Sequence, residues 1–119
     1  MTYSSTDMLP LARPGPLPDF IAIHLGAIRA LCREFGVARL EVFGSVLTPH
    51  FDPATSDIDL LVEYLPGYDL GPWAGQHTRL TEQLAAVLGR PVDLVMVGAV
   101  RKPRFIEAIR DNRTLLYVA

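Results

Sequence analysis

The sequence predicts an α/β (α+β) domain, a small mixed β-sheet with flanking helices, and three observations predict it. Runs of branched apolar residues and stretches of helical periodicity follow one another as helix, strand, strand, helix, strand, helix, strand. The first two strands have no helix between them, so they are expected as antiparallel neighbours and the fold is not strictly alternating. At 119 residues the chain is long enough for one core and too short for two.

The elements can be justified in order. Residues 1–18 carry Pro10, Pro14, Pro16 and Pro18, four of the ten prolines, and are read as an extended, mobile arm beside a domain over 19–119. No basic stretch in the arm precedes an apolar segment as a secretory signal requires. From Asp19, Ile21, Leu25, Ile28, Cys32 and Phe35 recur at spacings of four and three, one face of a helix that Asp19 can cap and Gly36 can end. Residues 38–43 form a short strand, with Leu40 and Val42 on one face, and Gly44-Ser45 terminates it. After a loop containing Pro49 and Pro53, residues 57–64 read as a second strand. Residues 66–72, PGYDLGP, are a loop. A second helix is expected over 73–88, with Trp73, His77, Leu80, Leu84 and Val87 inward and Gly89 beyond its end. Pro91 precedes a third strand at 92–97. Pro103 suits the first turn of a helix over 103–111, and TLLYVA closes the chain as a strand. There is no internal repeat.

Composition narrows the function classes. Half the residues are apolar, a fifth are charged, and no run approaches the roughly 18 apolar residues of a membrane span, so a membrane role is not expected and cytoplasm is the expected location. The formal net charge of −2 supplies no general positive field, and direct binding of nucleic acid is not expected. The single cysteine, Cys32, can form neither an internal disulfide nor a thiolate metal cluster. It lies on the apolar stripe of the first helix, where a buried small hydrophobe is the natural reading.

Against this background Asp57 and Asp59 stand out, because they interrupt an apolar strand. Residues two apart on a strand face the same side, so the two carboxylates repel unless a cation compensates. Mg²⁺ suits that need, being held by one or two carboxylates together with substrate phosphates. Asp93 has a similar setting near the start of another strand. Three carboxylates from two strands can hold two metal ions about 3.5–4 Å apart, a spacing suited to in-line displacement at phosphorus. An Asp at a strand end is often only a solvated terminus, and a D-x-D pair alone is weak. Gly44-Ser45 strengthens it: directly after a strand, glycine lets backbone N–H groups approach a phosphate, and the serine hydroxyl can reach a phosphate oxygen or a metal. His24, His50 and His77 make no zinc pair. Glu63 reads as a strand-end charge, and Arg101, Lys102 and Arg104 either solvate a helix start or contact a nucleotide or partner.

Taken together, Phe43-Gly44-Ser45, then Asp57-Ile58-Asp59-Leu60-Leu61-Val62-Glu63, then Val92-Asp93-Leu94-Val95 resemble the minimal nucleotidyltransferases of the DNA polymerase beta superfamily. The resemblance runs from about residue 19 to the C terminus and includes the closing segment from Arg104 to Ala119. It implies a polymerase-beta-like nucleotidyltransferase fold, with ATP as substrate and Mg²⁺, two ions, as cofactor. A nucleoside monophosphate would pass to a protein hydroxyl with release of pyrophosphate. Asp57, Asp59 and Asp93 would be the catalytic and metal-binding residues, with Gly44 and Ser45 binding the nucleotide. Solitary members of this size resemble antitoxins paired with a HEPN-type toxin, so the implied partner is that toxin, in a hetero-oligomer. A non-catalytic antitoxin that acts by binding, and a small-molecule nucleotidyltransferase, are the alternatives. Unlike most of the family, residues 46–50 carry no arginine, which leaves Arg101, Lys102 or Arg104 to supply a cation.

Overall fold

Four strands, β1 (Val37–Phe43), β2 (Ile58–Tyr64), β3 (Val92–Met96) and β4 (Arg113–Val118), pair in the order β3-β2-β1-β4. The computed structural model describes residues 9–49, 51–52 and 56–119, so Pro53 and His50 lie outside the described residues. β1 is antiparallel to β2, as expected from their closeness in sequence, and to β4, while β2 and β3 run parallel. The sheet is therefore mixed.

One face of the sheet carries Leu40, Val42, Ile58, Leu60, Val62 and Leu94, buried against the helices α1 (Asp19–Ala22), α2 (Leu25–Glu34) and α3 (Gly75–Leu88). The stripe from Ile21 to Phe35 lies inward as its spacing predicts, but the expected single helix is two. His24 N–H bonds to Ile21 O at 3.0 Å, a tight three-residue closure that ends α1 and restarts the helix at Leu25. With no proline at the break, periodicity alone does not reveal it. Burial raises the Cys32 thiol to about 12, in keeping with an inert core residue.

The second helix begins later than expected, and Trp73 is not inward. After Gly71 and Pro72 the backbone of Trp73 and Ala74 turns left-handed, at φ 56° and 53°, so α3 starts at Gly75 and Trp73 is 99% exposed. His77, Leu80 and Leu84 do face the sheet. His77 sits between β2 and β3: a carbonyl can only accept, so its Nε2–H donates to Leu94 O (2.9 Å) and its Nδ1 accepts from the Tyr64 hydroxyl (2.8 Å). Burial pushes the Tyr64 phenol up and keeps it a donor.

Gly36, between α2 and β1, has φ +64°, and a Cβ there would clash with the Tyr68 ring, which stacks on Tyr64. Gly36→Ala is expected to destabilise the fold by about 1–3 kcal/mol, read from chemical unfolding; an unchanged midpoint would contradict it.

The opposite face is covered by α4 (Pro103–Ile109), the segment 97–100 and, unexpectedly, part of the N-terminal arm. Part of the arm, expected to extend beside the domain, packs against it. Leu9 is 1% exposed among Phe43, Leu61, Val97, Ile106 and Ile109, and Ala12 is also buried. No helix of the described residues is long and apolar enough to cross a membrane.

Candidate active site

Register across the sheet assembles the site. Asp93 of β3 lies opposite Asp59 of β2, Asp59 opposite Phe43 of β1, and Phe43 opposite Arg113 of β4. Residues directly opposite one another share a face, so these four form one row at one end of the sheet, on the α4 side. Strands lie about 4.8 Å apart, which makes Asp59 and Asp93 close neighbours. Asp57 falls just before β2 rather than inside it and is exposed, as is Asp93; Asp59 is half-buried.

The electrostatics follow from this crowding. The Asp59 carboxyl is raised above its ordinary value, first by burial and then by the charges of Asp93 and Asp57. All three carboxylates therefore act within one electrostatic neighbourhood. Among the described residues no three His, Cys, Asp or Glu side chains converge into a ready metal cage. The row brings Asp59 and Asp93 side by side, with Asp57 just ahead of β2. Their chemistry, hard oxygens on one half-buried and two exposed side chains, fits a hard divalent cation.

At the end of β1 the chain turns through Gly44–Leu47, closed by Thr48 N–H and Thr48 Oγ1 on Ser45 O at 2.9 and 2.8 Å. Gly44 has φ +82°, and a Cβ there would stand 2.5 Å from Asp59 Oδ2. The Gly-Ser turn and the D-x-D motif, separated by 11 residues of sequence, are thus in contact through this glycine. Ser45 is exposed.

Sequence reasoning missed the next row. Glu41, two residues before Phe43 on the same face, is 0% exposed and bonds three partners: Arg39 Nη1 at 3.2 Å, Arg113 Nη1, and the Ala12 backbone N–H at 2.8 Å. Arg113 also donates to Ile109 O and Arg110 O, which ties the end of α4 to β1. Glu63, read as a strand-end charge, lies on the same face and pairs with Arg39 Nε at 3.0 Å. Arg39 Nη2 is buried without a hydrogen-bond partner among the described residues. Glu41 carried no motif; the only signal was a charge alternating with Leu40 and Val42 in ARLEVF.

Arg101 lines a groove of ≈ 530 Å³ with Glu63, Tyr64 and Met96, at the end of β2 and β3 away from Asp59. Arg113 instead borders a groove of ≈ 600 Å³ beside Gly44, Leu47 and Thr48, but its guanidinium is committed to Glu41 and to backbone carbonyls.

Comparison with known proteins agrees with this geometry. A family model described as "Nucleotidyltransferase domain" matches residues 26–116. A solved structure assigned as a minimal nucleotidyltransferase is 33% identical and superposes with a TM-score of 0.61 over 76% of this chain and 87% of that one. A tri-AMPylated HEPN toxin in complex with MNT antitoxin, from Shewanella oneidensis, gives 20% identity, a TM-score of 0.55 and coverage of 82% and 72%. A toxin-antitoxin structure with AMP-PNP gives 21%, 0.59, and 80% and 73%. At these last identities the likeness is one of fold. No curated protein shows significant similarity to the chain.

Proposed function

The chain belongs to the nucleotidyltransferase domain family, and on that premise we propose that it transfers AMP from ATP, with Mg²⁺, to a hydroxyl of a partner HEPN-type toxin, as the antitoxin of the pair. The observation that carries the reading is the row that sets Asp93 beside Asp59 and Asp59 against Gly44. Support for the toxin partner comes from the fold shared with complexes of MNT antitoxins and HEPN toxins.

In this reading Asp57, Asp59 and Asp93 hold the metal. The bound cation supplies charge neutralisation for the triphosphate and for the oxygens entering and leaving phosphorus. The rest belongs to the chain. Asp59, half-buried, is the fixed member of the set, while Asp57 and Asp93 are exposed and can adjust to the load. In the same reading Asp93 would accept the proton of the attacking hydroxyl. The open backbone of Gly44 admits phosphate oxygens next to Asp59, and the exposed Ser45 hydroxyl can donate to one of them. Positioning and electrostatics carry most of the catalysis in such transfers.

The direct test is calorimetric titration with ATP and Mg²⁺, followed by transfer of label from ATP to the co-purified toxin. Metal-dependent binding with labelling supports the proposal; no binding contradicts it. A second reading, inhibition by binding alone, is favoured by one observation: residues 46–49 carry no cation, and Arg113 beside Gly44 is already committed. Binding of toxin without binding of ATP would select it.

Gly44→Ala separates the glycine from the motif around it. The added methyl group meets Asp59 Oδ2 and forces a non-glycine residue to φ +82°. Transfer is expected to fall by about 10²-fold, the cost of displacing a reacting group by about an ångström. Far-ultraviolet circular dichroism should be unchanged, and retention of full activity would argue against close approach of phosphate at this turn.

A further inference from the structure

The docked arm has no role in the reading above and lies outside the matched residues 26–116, yet it is built into the face that carries the site. Three contacts fix it. Leu9 fills the apolar cluster between the sheet, through Phe43 and Leu61, and α4, through Ile106 and Ile109. The Ala12 N–H donates to the buried carboxylate of Glu41, and Arg13 O accepts from Leu115 N–H at 3.0 Å on the outer edge of β4. The arm thus crosses the sheet face and ends as a one-bond addition to the edge strand. Pro14 and Pro16 then stop further pairing, since neither has an N–H to give.

What the arm touches matters for the site. Phe43 immediately precedes Gly44 and lies opposite Asp59, and the Phe105 ring of α4 meets it edge-on at 5.9 Å. Glu41 holds Arg113, which bonds the last carbonyls of α4. Leu9→Ala would remove the side chain that packs with Phe43 of β1 and with Ile106 and Ile109 of α4.

We infer that residues 9–13 form a positioning strap, which through Leu9 and the Ala12–Glu41 bond sets α4 against the Phe43–Gly44 end of β1 and so fixes the nucleotide side of the site. Leu9 and Glu41 act through Gly44-Ser45 and touch no substrate. The activity arm of the test rests on the nucleotidyl-transfer reading; the exchange arm does not.

The test uses full-length Leu9→Ala, with Leu9→Met as the conservative rescue and Leu11→Ala, at a 46% exposed position of the same arm, as control. Amide hydrogen exchange is expected to quicken by about tenfold or more at residues 43–48 and 103–112, with α2, α3 and β3 unchanged. Leu9→Met should restore protection, and Leu11→Ala should leave it intact. For the active protein, KM for ATP should rise by about fivefold while kcat changes by less than about twofold. Uniform acceleration across the chain would reduce Leu9 to an ordinary core residue and overturn the inference, as would unchanged exchange at 43–48. If the wild type binds no ATP, the nucleotide reading fails, and the exchange pattern still decides the strap.

Discussion

Asp59→Asn is expected to lower nucleotidyl transfer by on the order of 10³-fold, equivalent to the several kcal/mol that a correctly held cation contributes at a developing phosphoryl charge. The same substitution should stabilise the metal-free protein at neutral pH. The Asp59 carboxyl is raised in the folded state by burial and by Asp93 and Asp57. Below the ordinary carboxylate range the group is neutral in both states and costs nothing. As pH rises the unfolded chain ionises first, so the folded state loses stability, and the loss is complete above the raised value. Asparagine removes it. The melting temperature of Asp59→Asn should therefore exceed that of the wild type near pH 7, and the gap should close toward pH 4 and below. Mg²⁺ with ATP should raise the wild-type melting temperature and leave that of the variant unmoved. Transfer undiminished in Asp59→Asn, or a variant less stable than wild type at neutral pH, would contradict this account of the row.

Glu41→Ala is expected to produce the largest loss of stability, about 3–5 kcal/mol, because it strands the guanidinium groups of Arg39 and Arg113 in the interior and leaves the Ala12 N–H without its acceptor. That figure is the cost of uncompensated buried charge, not the worth of the network over an apolar core. Urea unfolding would measure it, with a smaller loss for Glu41→Gln, which keeps an acceptor oxygen for one donor. A change below about 1 kcal/mol in Glu41→Ala would show that the cations find water or another partner.

Both predictions concern one face of one sheet, and they differ in how far the sequence revealed them. D-x-D, Gly-Ser and the later Asp are short-range patterns, and a strand presents residues two apart on one side whatever it is packed against. The strands and helices of the chain were legible for the same reason, their apolar spacing being set by local geometry. Cys32, His77 and Leu80 likewise lie inward where periodicity put them.

Misreadings arose where distant parts of the chain or an unusual backbone torsion decided the outcome. Trp73 fits the helical stripe but sits on a left-handed backbone after Gly71-Pro72, so the helix begins two residues later and the indole points into water. The break between α1 and α2 leaves the stripe intact and so leaves no mark on it. The proline-rich composition of residues 1–18 gave no sign that Leu9 packs beneath α4, or that the Ala12 N–H and the Arg13 carbonyl bond to Glu41 and Leu115.

By itself the sequence determined the mixed α/β class and most of its elements, and it singled out the three carboxylates and their glycine as candidates, because each of these is encoded within a few residues by torsional preference and apolar period. The tertiary structure alone decided that Asp93 lies beside Asp59, that Gly44 stands against Asp59 Oδ2, and that Glu41 joins Arg39, Arg113 and the arm. Those are facts of register and long-range pairing, and register depends on how whole strands bury their faces together.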